Sequence, residues 1–436
     1  MMPSVQLPDK EDIEGYFDRL YPLLRSITGE GLRETHKILS EIVPLEHFET
    51  PSGTKVFDWT VPKEWRVHDA YVVTPDGNRI LDVQTNNLHL INYSSPFRGK
   101  VSKQVLDEHL YSLPDLPDAV PYIISYYKER WGFCISHTDR LLLPEGDYEI
   151  VIDTDFIDGS LTYSEAVLPG KSDQEILISA YTCHPSMANH ELSGPLVTAF
   201  LYQCLASMKD RQLTYRFVFC PESVGVISYL AERGDLLREK TISAFVLNNI
   251  GLPRSFVYMR SSQGDSLGDR AVGCLAQKPE YPGVEFIDFY ADGGSNWRHF
   301  SSPGFQIPTG CLMRCLLNGY PEYHTSLDNK NMISFAAIRE SIKYMYHVCY
   351  VMENNRKFTN LFPFGEPQLG KRELYNNNIG GKYFDPSRQH SAIMWLLNLS
   401  DGDHDLIDVS TRANLDIDTV IDAAERLVDA GLIMPS

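Results

Sequence analysis

The chain of 436 residues lacks three features that would each indicate a particular class of protein. It has no run of about 18 apolar residues, the length that a membrane-spanning helix needs. Its eight cysteines include no CxxC pair, so neither a zinc ribbon nor a disulfide framework is expected. Basic residues are in the minority, 39 against 58 acidic ones. The resulting formal charge of −19 repels nucleic-acid phosphates and anionic lipid surfaces.

What is present is the composition of a globular protein, with 43% hydrophobic and 22% charged residues. The length is sufficient for several domains with large buried cores. Reduced cysteines and a polar, acidic N-terminal segment predict a cytoplasmic protein. We expect a small-molecule or peptide-like substrate as its partner, with no nucleic acid and no membrane.

The pattern of apolar residues changes twice along the chain. Residues 10–44 have the spacing of two helices interrupted near Gly29. Short β-rich runs follow, with a hairpin signal at Asp76-Gly77, and predict an inserted β-rich domain at 48–155. Apolar strands then alternate with amphipathic helices, which indicates an α/β core with a mostly parallel sheet. We assign residues 1–47 and 156–360 to that core.

The C-terminal part resembles a DNA-binding fold in its pattern but not in its charge. After a Pro- and Gly-rich linker at 361–370, three helical segments predict a winged-helix-like domain at 371–436. Nine acidic residues face only three arginines between 388 and 436. Because a DNA-reading helix must replace phosphate counterions, we expect this domain to pack, or to dock a protein partner or second copy of the chain.

Three histidines and a carboxylate mark the predicted strand ends, where open α/β sheets bind ligands. His184 and His190 lie in YTCHPSMANHELSG after the first core strand, and Glu222 lies in CPES after the next. His324 lies in the loop GYPEYHTSLDN. Three imidazoles with a free carboxylate match a catalytic zinc site, which has three protein ligands, an open position for water and a nearby base.

Several motifs carry a resemblance to a known family. They are PSGTKVFDWTVP at 51–62, WGFCISH at 131–137, CHPSMANHELSG at 183–194 and YPEYHTS at 320–326. Through them the chain resembles a bacterial group of aminopeptidase-like proteins. That group has the zinc aminopeptidase fold of the leucyl-aminopeptidase type, an inserted β-domain and a C-terminal winged helix. The resemblance spans nearly the whole chain and implies metal ligands at His184 and His324 and a general base at Glu222.

The chain departs from the dinuclear aminopeptidase pattern at the second metal. The bridging aspartate falls on His190 and the second glutamate on Ser223. A later aspartate ligand falls near Asn248, and the Gly-Ser-Asp motif is Gly294-Ser295-Asn296. A neutral imidazole cannot bridge two dications, so we expect one metal per chain. Zinc held by three histidines suits the pattern, with iron or another divalent ion as the alternative.

The resulting prediction is a metal-dependent hydrolase that cleaves an amide or peptide bond of a small amino-acyl or peptide-like substrate, with water activated by Glu222. Arg298 and Arg314 are candidates to bind a substrate carboxylate. Glu191 is an alternative fourth ligand. Two other functions remain open: a metal-free binding or assembly protein in a biosynthetic pathway, and a cyclase or other enzyme that uses the three-histidine metal.

Overall fold

A computed structural model of the chain describes residues 2–126, 128–291, 295–374 and 388–436. These residues form two compact units. The described residues of the larger unit lie within 6–264 and 285–343, and those of the smaller one lie within 1–5, 265–284 and 344–436. Among the described residues, no helix combines the length and apolar character that a membrane span requires.

An eight-stranded sheet forms the centre of the larger unit, in the order β1-β10-β12-β11-β13-β16-β14-β15. Strands β12, β11, β13 and β16 are parallel to their neighbours within this group, and the adjoining strands β10 and β14 pair antiparallel with β12 and β16. All residues of β11 and β12 are buried, as expected for strands covered on both faces. The strands are β1 (Glu46–Pro51), β10 (Ser160–Leu168), β11 (Glu175–Tyr181), β12 (Thr214–Cys220), β13 (Thr241–Leu247), β14 (Val257–Met259), β15 (Glu285–Ile287) and β16 (Thr309–Met313).

Helices occupy the connections of this sheet. The two predicted N-terminal helices are confirmed, and the chain turns between them at Gly29, whose φ of 99° favours glycine. The helices are α1 (Lys10–Leu20), α2 (Glu30–Leu39), α3 (Lys103–Glu108), α4 (His137–Leu141), α5 (Ser193–Ala206), α6 (Val224–Lys240), α7 (Leu267–Ala276), α8 (Trp297–Phe300) and α9 (Phe335–Asn354). Of these, α7 belongs to the smaller unit and α9 crosses the boundary between the units.

A second, antiparallel sheet in the order β5-β4-β9-β6 forms the inserted module. Its hairpin turns at Asp76-Gly77 as predicted, with Gly77 at φ 87°. The predicted boundaries of 48 and 155 fall inside strands: β1 pairs with β10 in the main sheet, and β9 continues to Ile157. The other strands are β2 (Lys55–Val56), β3 (Trp59–Thr60), β4 (Glu64–Val73), β5 (Arg79–Ile80), β6 (Phe97–Ser102), β7 (Leu110–Tyr111), β8 (Phe133–Cys134) and β9 (Asp147–Ile157).

The smaller unit contains a winged helix. Helices α10 (Arg388–Leu399), α11 (Leu406–Ala413) and α12 (Ile417–Asp429) pack with a sheet of order β18-β17-β19. The strands are β17 (Lys357–Asn360), β18 (Asp401–Asp405) and β19 (Ile433–Pro435). Strand β17 precedes the segment interpreted as a linker, so the fold begins before the predicted residue 371. The sequence could not show this, because a four-residue strand gains its partners only in the folded sheet.

Candidate active site

Strand ends bring the candidate residues together, as the position of ligands in α/β sheets predicts. His184 follows β11, and Glu222 follows β12, which is parallel to β11 and hydrogen-bonded to it. His184 Nε2 and Glu222 Oε2 are 3.9 Å apart. The first histidine and the predicted base therefore lie at one edge of the sheet.

His190 lies in a π-helical turn, Ala188–Leu192, that leads into α5. The carboxylate of Asp328, which is fully buried, accepts hydrogen bonds from the backbone N–H groups of Asn189 at 2.7 Å and His190 at 2.9 Å. Asp328 belongs to the loop that also carries His324. One buried carboxylate thus fixes the two histidine-bearing loops relative to each other.

The inserted module also contributes to the position of His324. The backbone N–H of Tyr122 donates to the carbonyl of His324 at 2.8 Å, and Pro121 pairs with Thr325 in an isolated bridge. The His324 ring stacks on Tyr323 with ring centroids 4.0 Å apart. His324 has a φ of 56°, an unusual conformation for a residue other than glycine, and these contacts hold it there.

The three imidazoles converge. One nitrogen from each of His184, His190 and His324 lies within 4.8 Å of the others. The Nε2 atoms of His190 and His324 are 3.0 Å apart. Burial lowers the pKa of His184 and His324 to about 3 and that of His190 well below its usual value. All three are neutral near pH 7, the form in which histidine binds metals.

This arrangement fits a single metal ion. His184 Nδ1 is engaged by Glu191 Oε2 at 2.8 Å, and His190 Nδ1 lies 3.1 Å from the Tyr181 hydroxyl. The Nε2 atoms of both histidines remain for a ligand, and a carboxylate on the opposite nitrogen is the usual partner of a metal-binding histidine. Two nitrogens at about 2.0–2.1 Å from one tetrahedral zinc are about 3.3 Å apart, close to the observed spacing of His190 and His324.

Glu222 is a partly buried carboxylate, its side chain 20% exposed, with an unusual proton affinity. Burial and the nearby charge of Glu191 raise its pKa to about 8, and the charge of Arg298 and the Ser295 hydroxyl partly oppose that rise. A carboxylate that exchanges its proton near neutral pH is suited to general acid–base chemistry. A second carboxylate, Glu191, is fully buried, and burial raises its pKa to about 8 as well.

A cavity of about 180 Å³ opens beside these groups. Core and module both line it, through Ile27, Tyr122, Ile124, Tyr126, Cys183, His184, Glu222, Ser223, Val224 and His324. The hydroxyls of Tyr122 and Tyr126 are 3.0 Å apart. The inserted module therefore supplies one wall of the cavity, and the wall is aromatic and aliphatic.

The two predicted substrate-binding arginines differ in their surroundings. Arg298 is close enough to Glu222 for its charge to lower the pKa of that carboxyl, and its Nε has no hydrogen-bond partner among the described residues. Arg314 instead donates to Ser341 at 2.9 Å, to Glu340 at 2.6 Å and to the Arg254 carbonyl. Its donors serve internal packing, so Arg314 has no place in the function proposed below.

The other positions expected to bear on the second metal lack a metal-binding arrangement. Asn248 donates to Ser295 at 3.2 Å and accepts from the Cys311 thiol at 3.5 Å. Ser223 lines the cavity but carries no carboxylate. Gly294, part of the Gly-Ser-Asn motif, lies outside the described residues.

Sequence reasoning missed Asp328, Tyr181 and the two cavity tyrosines. Asp328 lies four residues after His324, yet a lone aspartate in a polar loop carries no sequence signal for a buried role. Glu191 was considered as a metal ligand, and the structure places its carboxylate on the nitrogen of His184 opposite the shared centre. The spacing HPSMANHE places Glu191 near His184, but only the fold shows which nitrogen it contacts.

Two protein-family models match adjoining parts of the chain. The model of a family described as a domain of unknown function, DUF4910, matches residues 15–355. The chain belongs to this family. A winged helix-turn-helix family matches residues 356–435, which agrees with the early start of that fold at β17.

A close relative is a Clostridium acetobutylicum protein provisionally named a polysaccharide biosynthesis protein with aminopeptidase-like domain. It is 39% identical over 426 residues, which cover 97% of this chain and 96% of the relative. A crystal structure from the same organism, provisionally named a peptidase, superposes with a TM-score of 0.90 at 38% identity and covers 98% of this chain and 96% of that one.

More distant structures share the fold of the core. BSAP, a zinc aminopeptidase from Bacillus subtilis, superposes with a TM-score of 0.58 at 13% identity, covering 79% of this chain and 95% of that one. An M28 peptidase precursor from Shewanella amazonensis gives 0.53 at 13% identity, with 79% and 96% covered. The fold predicted from the motifs, an aminopeptidase-like α/β core with a C-terminal winged helix, is confirmed.

Proposed function

We propose that the protein is a metal-dependent hydrolase that cleaves an amide or peptide bond in a small amino-acyl or peptide-like substrate. The observation that carries the proposal is the convergence of three neutral imidazoles beside Glu222 at the edge of a small cavity. His184, His190 and His324 would hold one divalent ion, and zinc is the ion that three neutral histidines and the fold of the relatives favour. That ion would supply Lewis-acid activation of water and of the substrate carbonyl.

The protein's own residues supply the proton transfers. Glu222 takes a proton from the attacking water while the water oxygen bonds to the carbonyl carbon. The same carboxyl then gives that proton to the nitrogen as the C–N bond breaks, so the products are a carboxylate and an amine. Glu191 orients His184, and Asp328 keeps the loops of His190 and His324 in register.

Replacing Glu222 with glutamine tests this role. We expect Glu222→Gln to retain fold and metal but to hydrolyse a panel of aminoacyl and N-acyl 4-nitroanilides about 10²- to 10⁴-fold more slowly. Glu285→Gln, the same change at an exposed strand position, is the control. Metal content measured by elemental analysis should be about one ion per chain for all three proteins.

Other results would favour the alternative functions. Full activity of Glu222→Gln contradicts the proposed base. A purified protein that binds no divalent metal and cleaves none of the panel indicates a binding or assembly protein. Bound iron instead of zinc would indicate a different reaction on the three-histidine metal.

We also propose that the acidic winged helix is a packing or protein-docking domain, because its excess of carboxylates repels nucleic-acid phosphates. A cytoplasmic location remains part of the proposal.

A further inference from the structure

The charges around the cavity bear on the substrate. Glu222 is the one carboxylate among the described residues that line it. Glu191 is fully buried behind His184, with its Oε2 hydrogen-bonded to that imidazole. A substrate group in the cavity therefore meets one acid, and the proposed function already uses that acid as the base.

Positive charge is in excess when the proposed metal is present. Neutral histidines cancel none of the charge of a dication, and Arg298 adds a further positive charge next to Glu222. A substrate ammonium would therefore face a dication and a guanidinium with a single carboxylate as counter-ion. An unpaired charge in a partly buried site is strongly unfavourable.

The walls suit an uncharged group. Ile27, Ile124 and Val224 present aliphatic surface, and the hydroxyls of Tyr122 and Tyr126 offer neutral hydrogen-bonding groups. The volume of about 180 Å³ equals that of about six water molecules, which accommodates a short acyl chain.

From this balance we propose that the cavity accepts a neutral N-acyl group, such as an acetamido group, and rejects a substrate that carries a free ammonium next to the scissile carbonyl. This inference rests on the proposed function and narrows its substrate class. The bond cleaved is then the amide of an acylated amine, and the products are a short carboxylate and the free amine.

Two isosteric hydroxamates test the inference by affinity. Propionohydroxamate carries a methyl group at the position where glycine hydroxamate carries an ammonium group. Their dissociation constants for the zinc-loaded wild-type protein are measured by calorimetry at about pH 6.5, where the amine is protonated. We expect propionohydroxamate to bind at least about tenfold more tightly.

Two variants test whether the charge in the cavity causes this preference. Ser223 lines the cavity next to Glu222. Ser223→Glu adds a carboxylate there, and Ser223→Gln adds the same bulk without charge. Both changes have the same backbone cost at the φ of 58° of this residue. We expect Ser223→Glu, but not Ser223→Gln, to remove or reverse the preference for propionohydroxamate.

The outcomes separate the inference from the proposed function. Equal or tighter binding of glycine hydroxamate by the wild-type protein overturns the inference and leaves the hydrolase proposal standing. If neither compound binds to the zinc-loaded protein, the inference and the hydrolase proposal are both overturned. An equal change of preference in Ser223→Glu and Ser223→Gln also contradicts the inference, because bulk rather than charge would then set it.

Discussion

The histidine cluster and the winged helix both bury titratable side chains, but their charges are balanced differently. Lys278, 7% exposed, is paired with Asp416 and Asp418, each at 2.8 Å, and Arg270 is paired with Asp405 and Asp408. The histidine cluster instead has buried bases with no cationic partner in direct contact, and Glu222 and Glu191 share a raised pKa.

This difference in charge pairing distinguishes a region whose charges stabilise the fold from a region suited to bind a ligand. The ion pairs in the smaller unit hold the pKa values of Asp405 and Asp416 below their usual range. They also link α7 and the residues just after it to the starts of α11 and α12. The pairs of Lys278 with Asp416 and Asp418 occupy the acidic start of α12, the helix that a DNA-binding winged helix would use to read bases. Groups left without a partner of opposite charge, as at the histidines, are typical of sites that await a ligand.

The largest effect is expected where a proposed ligand is removed. His190→Ala should weaken zinc binding by more than the roughly 10- to 100-fold that loss of an outer partner costs. The exposed histidine His68 provides the matched control, and His68→Ala should bind zinc normally. Competition titration with a chelator measures both. An unchanged affinity in His190→Ala would mean that this histidine is no ligand.

A smaller loss is expected in the winged helix. Lys278→Met leaves Asp416 and Asp418 without their shared cation, at a cost of about 3 kcal/mol to local stability. Lys171, whose exposed ammonium pairs with Asp210, provides the control, and Lys171→Met should cost less than about 1 kcal/mol. Hydrogen exchange of helix α12 reports the local change. Similar protection in the two variants would show that the buried pair contributes little.

The smallest effect concerns pH. The pKa of His324 falls from 6.5 to about 3 on folding because of burial, so below pH 6.5 the unfolded chain takes up a proton that the folded chain does not. The contribution of His324 to stability is therefore lost as pH falls, by about 2 kcal/mol between about pH 6.5 and pH 5. Urea unfolding measures this contribution. Between these pH values the free energy of unfolding of the metal-free wild type should fall by about 2 kcal/mol more than that of metal-free His324→Gln. Parallel pH profiles for the two proteins would refute a buried neutral histidine.

The paired carboxylates should contribute nothing in that interval. The lowered pKa values of Asp405 and Asp416 give stability that is present above pH 3.8 and is lost only at lower pH. Of these two regions, the site of the histidines and of Glu191 and Glu222 alone should respond to pH near 6, and the difference between wild type and His324→Gln isolates the histidine.

Much of the fold was predictable because its signals are local. Apolar strands, the turn at Gly29 and the hairpin at Asp76-Gly77 each depend on neighbouring residues. Domain limits were less accurate, since β1 and β17 acquire their partners from distant strands. The boundaries of 48–155 and 371–436 were placed by changes in composition, which do not record strand pairing.

The sequence by itself determined the residue types of the site and the charge of the chain: three histidines, Glu222 after a strand, and no carboxylate at 190 or 223. Tertiary structure decided their roles. It placed Glu191 on the far nitrogen of His184, buried Asp328 between two loops and engaged Arg314 in packing. The physical reason is that proton affinity and ligand geometry depend on burial and on contacts between residues far apart in the chain.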